Sequence, residues 1–129
     1  LVHLGDLETE EVLEELLGLP ASIVLGNCDD RELMQHARRL GLQVDETKCG
    51  IVCDDKRILC THGHVPSVMQ AAIDDGVDYL LHGHTHELRD ERIGRTRVIN
   101  PGALHRAARY TAALLDPGAD SLRVIAIAR

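Results

Sequence analysis

At 129 residues the chain is long enough for one domain with a real core and too short for a barrel of eight βα units. Hydrophobic residues make up 44% of it but include only two tyrosines and no Phe or Trp, so the core must be aliphatic and base-stacking platforms are disfavoured. The formal charge of −7 argues against a broad nucleic-acid surface, while a metal site would still present local positive charge to a phosphate.

No apolar run reaches the roughly 18 residues that a membrane span needs. The four cysteines, Cys28, Cys49, Cys53 and Cys60, form no paired CxxC motifs, which fits a reducing cytoplasm better than a disulfide framework.

In chain order, "LVHLGD" and "ASIVLGNCD" are short apolar runs ending in Gly and a polar residue, the pattern of buried strands. Between them "ETEEVLEELLG" spaces Val12, Leu13, Leu16 and Leu17 as a helix face, with Gly18 as its stop. Asp29 or Asp30 caps a second helix, "RELMQHARRLG", with Leu33, Met34, Ala37 and Leu40 on one face. A short strand near residues 42–44 precedes "KCGIVCDDKRILCTHGH", a hairpin about a DDK turn in which Cys49, Cys53 and Cys60 read as small buried hydrophobes. Pro66 opens a third helix with Val68, Met69, Ala72 and Ile73 on its apolar face, and Gly76 ends it. The strand "VDYLLHGHTH" follows, and from Glu87 onward four more strands are separated by turn residues.

The unusual polar residues all stand where a predicted strand has just ended: Gly5-Asp6, Gly26-Asn27, Thr61-His62-Gly63-His64, Gly83-His84-Thr85-His86 and Asn100-Pro101-Gly102. In α/β sheets the ligand crevice lies outside the carboxyl ends of strands, so these clusters can converge. Asp, Asn and His together suit Mn, Fe, Ni, Zn or Co better than calcium or a thiolate zinc site. His84 and His86, two apart, face one side, while His82 belongs to the strand that places them and is expected inside. His3, His36 and His105 are expected to be structural or surface residues. A metallo-β-lactamase pattern would need Asp-His after His86, where Glu87-Leu88 stands.

The ordered series "GD", "GNCD", "THGH", "GHTH" and "NPG" resembles the calcineurin-like metallophosphoesterases, in particular the small YfcE-type phosphodiesterases, over essentially the whole chain. The resemblance implies an α/β fold, a two-sheet β-sandwich flanked by helices in four layers, as a single domain over 1–129. It implies two divalent transition metal ions, Mn first among Ni, Fe, Zn and Co. Asp6 would bridge them, Asn27, His62 and His84 would complete one ion's ligands, and His86 would bind the other. Metal-bound hydroxide would attack a small phosphodiester, Asn27 would also orient the phosphate, and His64 is the candidate acid. A cytoplasmic hydrolase that forms a homo-oligomer is the expected setting.

Two departures qualify the match. The family's first strand ends in Asp-x-His, which has no counterpart after Leu1, so roughly 25 to 40 upstream residues, one βα unit, are expected to carry it. Cys28 stands where larger members have the His of "GNH", which reads as a change of substrate class. The competing reading is a catalytically impaired interaction scaffold like the retromer subunit Vps29.

Overall fold

The computed structural model describes residues 1–128. The elements run β1 (Val2–His3), α1 (Glu10–Glu15), β2 (Ser22–Val24), α2 (Arg31–Arg39), β3 (Gln43–Asp45), β4 (Lys48–Cys53), β5 (Lys56–Thr61), α3 (Pro66–Asp75), β6 (Tyr79–Leu81), β7 (Leu88–Ile93), β8 (Thr96–Pro101), β9 (Tyr110–Asp116) and β10 (Ser121–Ile127). Strands β1, β2 and β3 form a parallel sheet in that order. A second sheet has the order β4-β5-β6-β8-β7, with β5, β6 and β8 parallel and an antiparallel strand at each edge.

The period-2 alternation of side chains sorts these strands into four layers. Ile23 faces one way, into a core with Leu13, Leu16, Leu33, Met34, Ala37 and Val44, between the first sheet and α1 and α2. Val24, its neighbour, faces the other way and meets Cys49, Ile58, Cys60, Tyr79 and Ile99 between the two sheets. Leu80 and Val98 leave the far face of the second sheet and pack with Ala72 and Val77 under α3. The mixed α/β architecture and flanking helices agree with the expected fold class.

The second layer is divided rather than continuous. The hairpin β9–β10 forms its own two-stranded sheet, from Tyr110↔Ile127 to Asp116↔Ser121, with one isolated bridge from Tyr110 to Ala103, and Leu115 and Leu122 pack on the same inter-sheet core as Val2 and Leu4. Its turn is tied to the second sheet by Asp120, which accepts from Tyr79 Oη at 2.5 Å and from Arg97, itself paired with Asp90 at 2.8 Å.

The α2 cap resolves to one of its two candidates, and the end of α1 and the burial of Cys53 differ from expectation. Asp30, not Asp29, caps α2, accepting from Leu33 N at 2.8 Å. Helix α1 stops at Glu15, short of Gly18, because the Leu16 and Leu17 amides reach back only three residues, a tightening that buries Leu16 and turns Leu17 out. Cys49 and Cys60 are buried as expected, but Cys53 is exposed, since it sits beside the Asp54-Asp55 turn beyond the reach of the core.

Candidate functional site

The ends of β1, β2, β5 and β6 bring four of the predicted residues into contact. His62, only 2% exposed, is the pivot. Its Nδ1 donates to the Leu4 carbonyl at 2.6 Å, across 58 positions of sequence, which leaves Nε2 as a lone pair. That lone pair faces Asn27 Oδ1 at 2.9 Å, Asp6 Oδ2 at 3.3 Å and His84 Nδ1 at 3.3 Å. His84 Nδ1 also lies 3.1 Å from Asn27 Oδ1. His64 is exposed, with its ring centroid 5.3 Å from that of His62 and 6.1 Å from that of His84.

His86 stands apart, its Nδ1 donating to the Arg106 carbonyl at 3.2 Å. His82 is buried as expected, its Nδ1 against the Gly83 carbonyl at 3.0 Å and its Nε2 against Arg89 at 3.2 Å. His3 accepts from Gly5 N at 3.2 Å, His36 lies 3.8 Å from Glu10, and His105 is exposed.

The backbone is bent into this arrangement. Asp6, His84 and His86 all have positive φ, at 57°, 70° and 62°. Non-glycine residues there are uncommon, and each such position costs on the order of 1 kcal/mol, which points to function when three candidate ligands share it. Close approach of the β1 and β2 ends needs glycine. A Cβ on Gly26 would lie 2.1 Å from Asp6 Oδ1, and one on Gly5 would lie 2.6 Å from Gly26 N and His62 Nδ1.

Sequence reasoning missed several supports. Asp29 holds two strand ends together, Oδ1 accepting from Glu8 N at 2.8 Å and Oδ2 from Gly26 N at 2.9 Å. Asn100 donates to the Gly83 carbonyl at 3.1 Å and Thr85 Oγ1 at 3.0 Å, so the "NPG" segment positions the "GHTH" loop. The Asn-Pro-Gly sequence signals the local Asx turn, in which Asn100 Oδ1 accepts from Gly102 N at 3.0 Å, but not the long-range bonds. The Cys28 amide donates to Asp6 Oδ1 at 2.9 Å, while the Asp6 carboxylate pushes the exposed Cys28 thiol above its ordinary pKa. Cys28 therefore serves by its backbone and is a poor thiolate nucleophile.

Among the described residues no group of three or more His, Cys, Asp or Glu side chains is arranged to hold a metal ion. The chemistry of the donor set nevertheless fits a cation. His62 Nε2 faces the oxygens of Asn27 and Asp6, acceptor against acceptor, and burial lowers the His62 pKa against the second proton that would relieve this. A divalent ion satisfies such an assembly where a proton is disfavoured.

Burial also lowers the pKa of His3 and His82. Folded values below the unfolded value near 6.5 mean that the unfolded chain binds more protons as pH falls through it, so stability declines on acidification. Metal-free protein should lose up to about 1.4 kcal/mol per pH unit for each such histidine just below pH 6.5. Urea midpoints between pH 7.5 and 5.5 test this, and a flat or rising profile contradicts it.

The sequence matches the calcineurin-like phosphoesterase superfamily domain over residues 1–120, and the chain belongs to that family. It is 33% identical over 107 residues to phosphodiesterase MJ0936 of Methanocaldococcus jannaschii, covering 78% of this chain and 64% of that protein. It spans less than two thirds of the length of that relative and of a probable metallophosphoesterase from Methanothermobacter thermautotrophicus, whose length it covers to 59%. The fold superposes on a novel archaeal phosphodiesterase with TM-score 0.82 at 30% identity, covering 98% of this chain and 81% of that one. Likeness of fold alone extends to vacuolar protein sorting 29 from Cryptosporidium parvum, with TM-score 0.61 at 19% identity over 97% of this chain and 79% of that one. No helix among the described residues is long and apolar enough to cross a membrane.

Proposed function

We propose that the chain forms the catalytic domain, over 1–129, of a cytoplasmic, metal-dependent phosphodiesterase acting on a small phosphodiester. The observation that carries this reading is the convergence of His62 Nε2, Asn27 Oδ1, Asp6 Oδ2 and His84 Nδ1 within 2.9–3.3 Å of one another's neighbours at one set of strand ends. Asp6, Asn27, His62 and His84 would hold one divalent ion, with Asp6 shared and His86 serving a second. Bound there, the ions, Mn first among Ni, Fe, Zn and Co, supply a water-derived nucleophile at neutral pH and neutralise phosphoryl charge.

The chain's own groups do the rest. The Leu4 carbonyl holds the His62 tautomer, Cys28 N holds the Asp6 carboxylate, and Asn100 holds the Gly83 carbonyl and Thr85 hydroxyl on either side of His84. Asn27 Nδ2, turned toward Cys28 Sγ at 3.7 Å, would donate to a phosphoryl oxygen. Exposed His64, beside His62, would serve as the acid for the leaving oxygen.

The test is to strip the full-length protein of metal, restore Mn or Ni, and measure both metal content and hydrolysis of bis(p-nitrophenyl) phosphate. Turnover that rises with bound metal is expected. Full occupancy without turnover would instead support an interaction scaffold, whose fold this chain shares.

A further inference from the structure

Two cavities of similar size, one at Asn27 and one at His86, differ in charge. One, about 320 Å³, contains Asn27 and His64 and is lined by the carboxylates of Asp29, Asp30 and Glu46 against the single cation Arg31. The other, about 310 Å³, opens beside Thr85 and His86 and is lined by Arg106 and Arg109 against the single anion Glu87. A polyanion is repelled by the first and attracted by the second.

Arg106 and Arg109 are among the described arginines that carry no ion pair. Arg57, Arg89, Arg92 and Arg97 are each paired with carboxylates, whereas neither Arg106 nor Arg109 forms a salt bridge among the described residues. Both are exposed in the segment that follows the "NPG" motif. That segment is tied to His86, whose Nδ1 proton the Arg106 carbonyl receives at 3.2 Å, and Arg106 itself adopts φ 49°. Exposed guanidinium groups suit bidentate recognition of phosphate oxygens. In a chain of net charge −7, two arginines against one glutamate beside a site for an anionic substrate form a local exception to the overall field.

We propose that Arg106 and Arg109 form a subsite for a second phosphate group on the substrate, placed on the His86 side of the scissile phosphodiester. The acidic cavity at Asn27 and His64 then takes the uncharged or cationic substituent. The preferred substrate class is a phosphodiester that carries a further phosphate, as in a nucleoside bisphosphate ester. This inference rests on the phosphodiesterase reading, and its test separates the two.

Two chromogenic substrates differ only in the group at issue: thymidine 5′-(p-nitrophenyl phosphate) and the same ester bearing a 3′-phosphate. With metal-loaded protein, kcat/KM should favour the 3′-phosphorylated ester by about tenfold or more, chiefly through KM. In R106A/R109A that ratio should fall to near one. General damage lowers both esters together and leaves the ratio alone. Equal kcat/KM for the two esters in the unmodified protein, or a preference that survives the double substitution, overturns the proposal.

Binding of thymidine 3′,5′-bisphosphate to metal-free protein, followed by calorimetry, supplies the readout independent of turnover. The Kd should rise at least about tenfold in R106A/R109A, and an unchanged Kd refutes the subsite even if no ester is hydrolysed. Absence of turnover on both esters with metal bound, together with that arginine-dependent binding, would remove the phosphodiesterase reading and leave the anion site standing.

Discussion

Asp6→Asn should lower metal-dependent kcat by about a thousandfold or more while leaving the metal-free fold as stable as before, or more stable. The substitution preserves shape and keeps an oxygen to accept from Cys28 N, now at 2.9 Å from Oδ1. It replaces Asp6 Oδ2, which faces His62 Nε2 at 3.3 Å, with an amide that can donate to that lone pair. The acceptor conflict is thereby relieved, as when a functional site held in tension is neutralised. What is lost is the negative charge and the second oxygen needed to share a carboxylate between ions, and several kcal/mol of charge stabilisation corresponds to about 10³ in rate.

Three measurements check this expectation together: kcat on bis(p-nitrophenyl) phosphate, metal content, and Tm with and without added metal. The metal-induced rise in Tm should shrink with affinity, because only ions that bind the native state raise it. Near-normal activity in Asp6→Asn would show that the cluster is not the reaction centre. A large drop in metal-free Tm would show that Asp6 is chiefly structural.

Gly26→Ala should be the most damaging single-methyl change near the site. Its Cβ would stand 2.1 Å from Asp6 Oδ1 and 2.4 Å from Asp6 N, and the second of these is backbone that a side-chain rotation cannot relieve. The strand ends must separate, which breaks the Asp6 bond to Cys28 N and loosens the Asp29 bond to Gly26 N. Overpacking of this kind costs about 1–3 kcal/mol of stability, and displacement of the reacting groups by about 1 Å costs about a hundredfold in rate. Urea denaturation and kcat/KM on the same preparation measure the two effects. Because Gly26 makes no contact through a side chain, a variant with native activity would mean that the β1 and β2 ends need not approach this closely.

Much of the fold was legible because its signals are local. The alternation of Ile23 and Val24, and of Tyr79, Leu80 and Leu81, follows from the two-residue period of a strand, and the helix faces of α2 and α3 from their own spacing. The exact end of α1 was not legible, since burial of Leu16 against the first core decided it. The division between the three-stranded sheet and the β9–β10 hairpin also depends on which strands meet, and strand pairing is a long-range event.

The candidate residues could be named from sequence, but not their separate situations. Three histidines at alternate positions look equivalent in "LLHGHTHE"; in the fold His82 is buried against Arg89, His84 meets Asn27 and His62, and His86 turns to the Arg106 carbonyl. Positive φ at His84 and His86 breaks the simple strand alternation that would keep both pointing one way. Asp29 and Asp30 are equally good candidates for the α2 cap; Asp30 takes it at Leu33 N, while Asp29 reaches to Glu8 N, 21 residues away.

By itself the sequence determined the order of strands and helices, the family and the set of groups available for metal and phosphate chemistry, because these depend on spacing and residue type. Tertiary structure alone decided that Leu4, Asp6, Asn27, His62 and His84 meet, and that Arg106 and Arg109 line a cavity with His86 while Asn27 and His64 line another. The physical reason is that these relations are set by chain reversals and by hydrogen bonds spanning up to 58 positions, for which no local pattern of residues is a sufficient code.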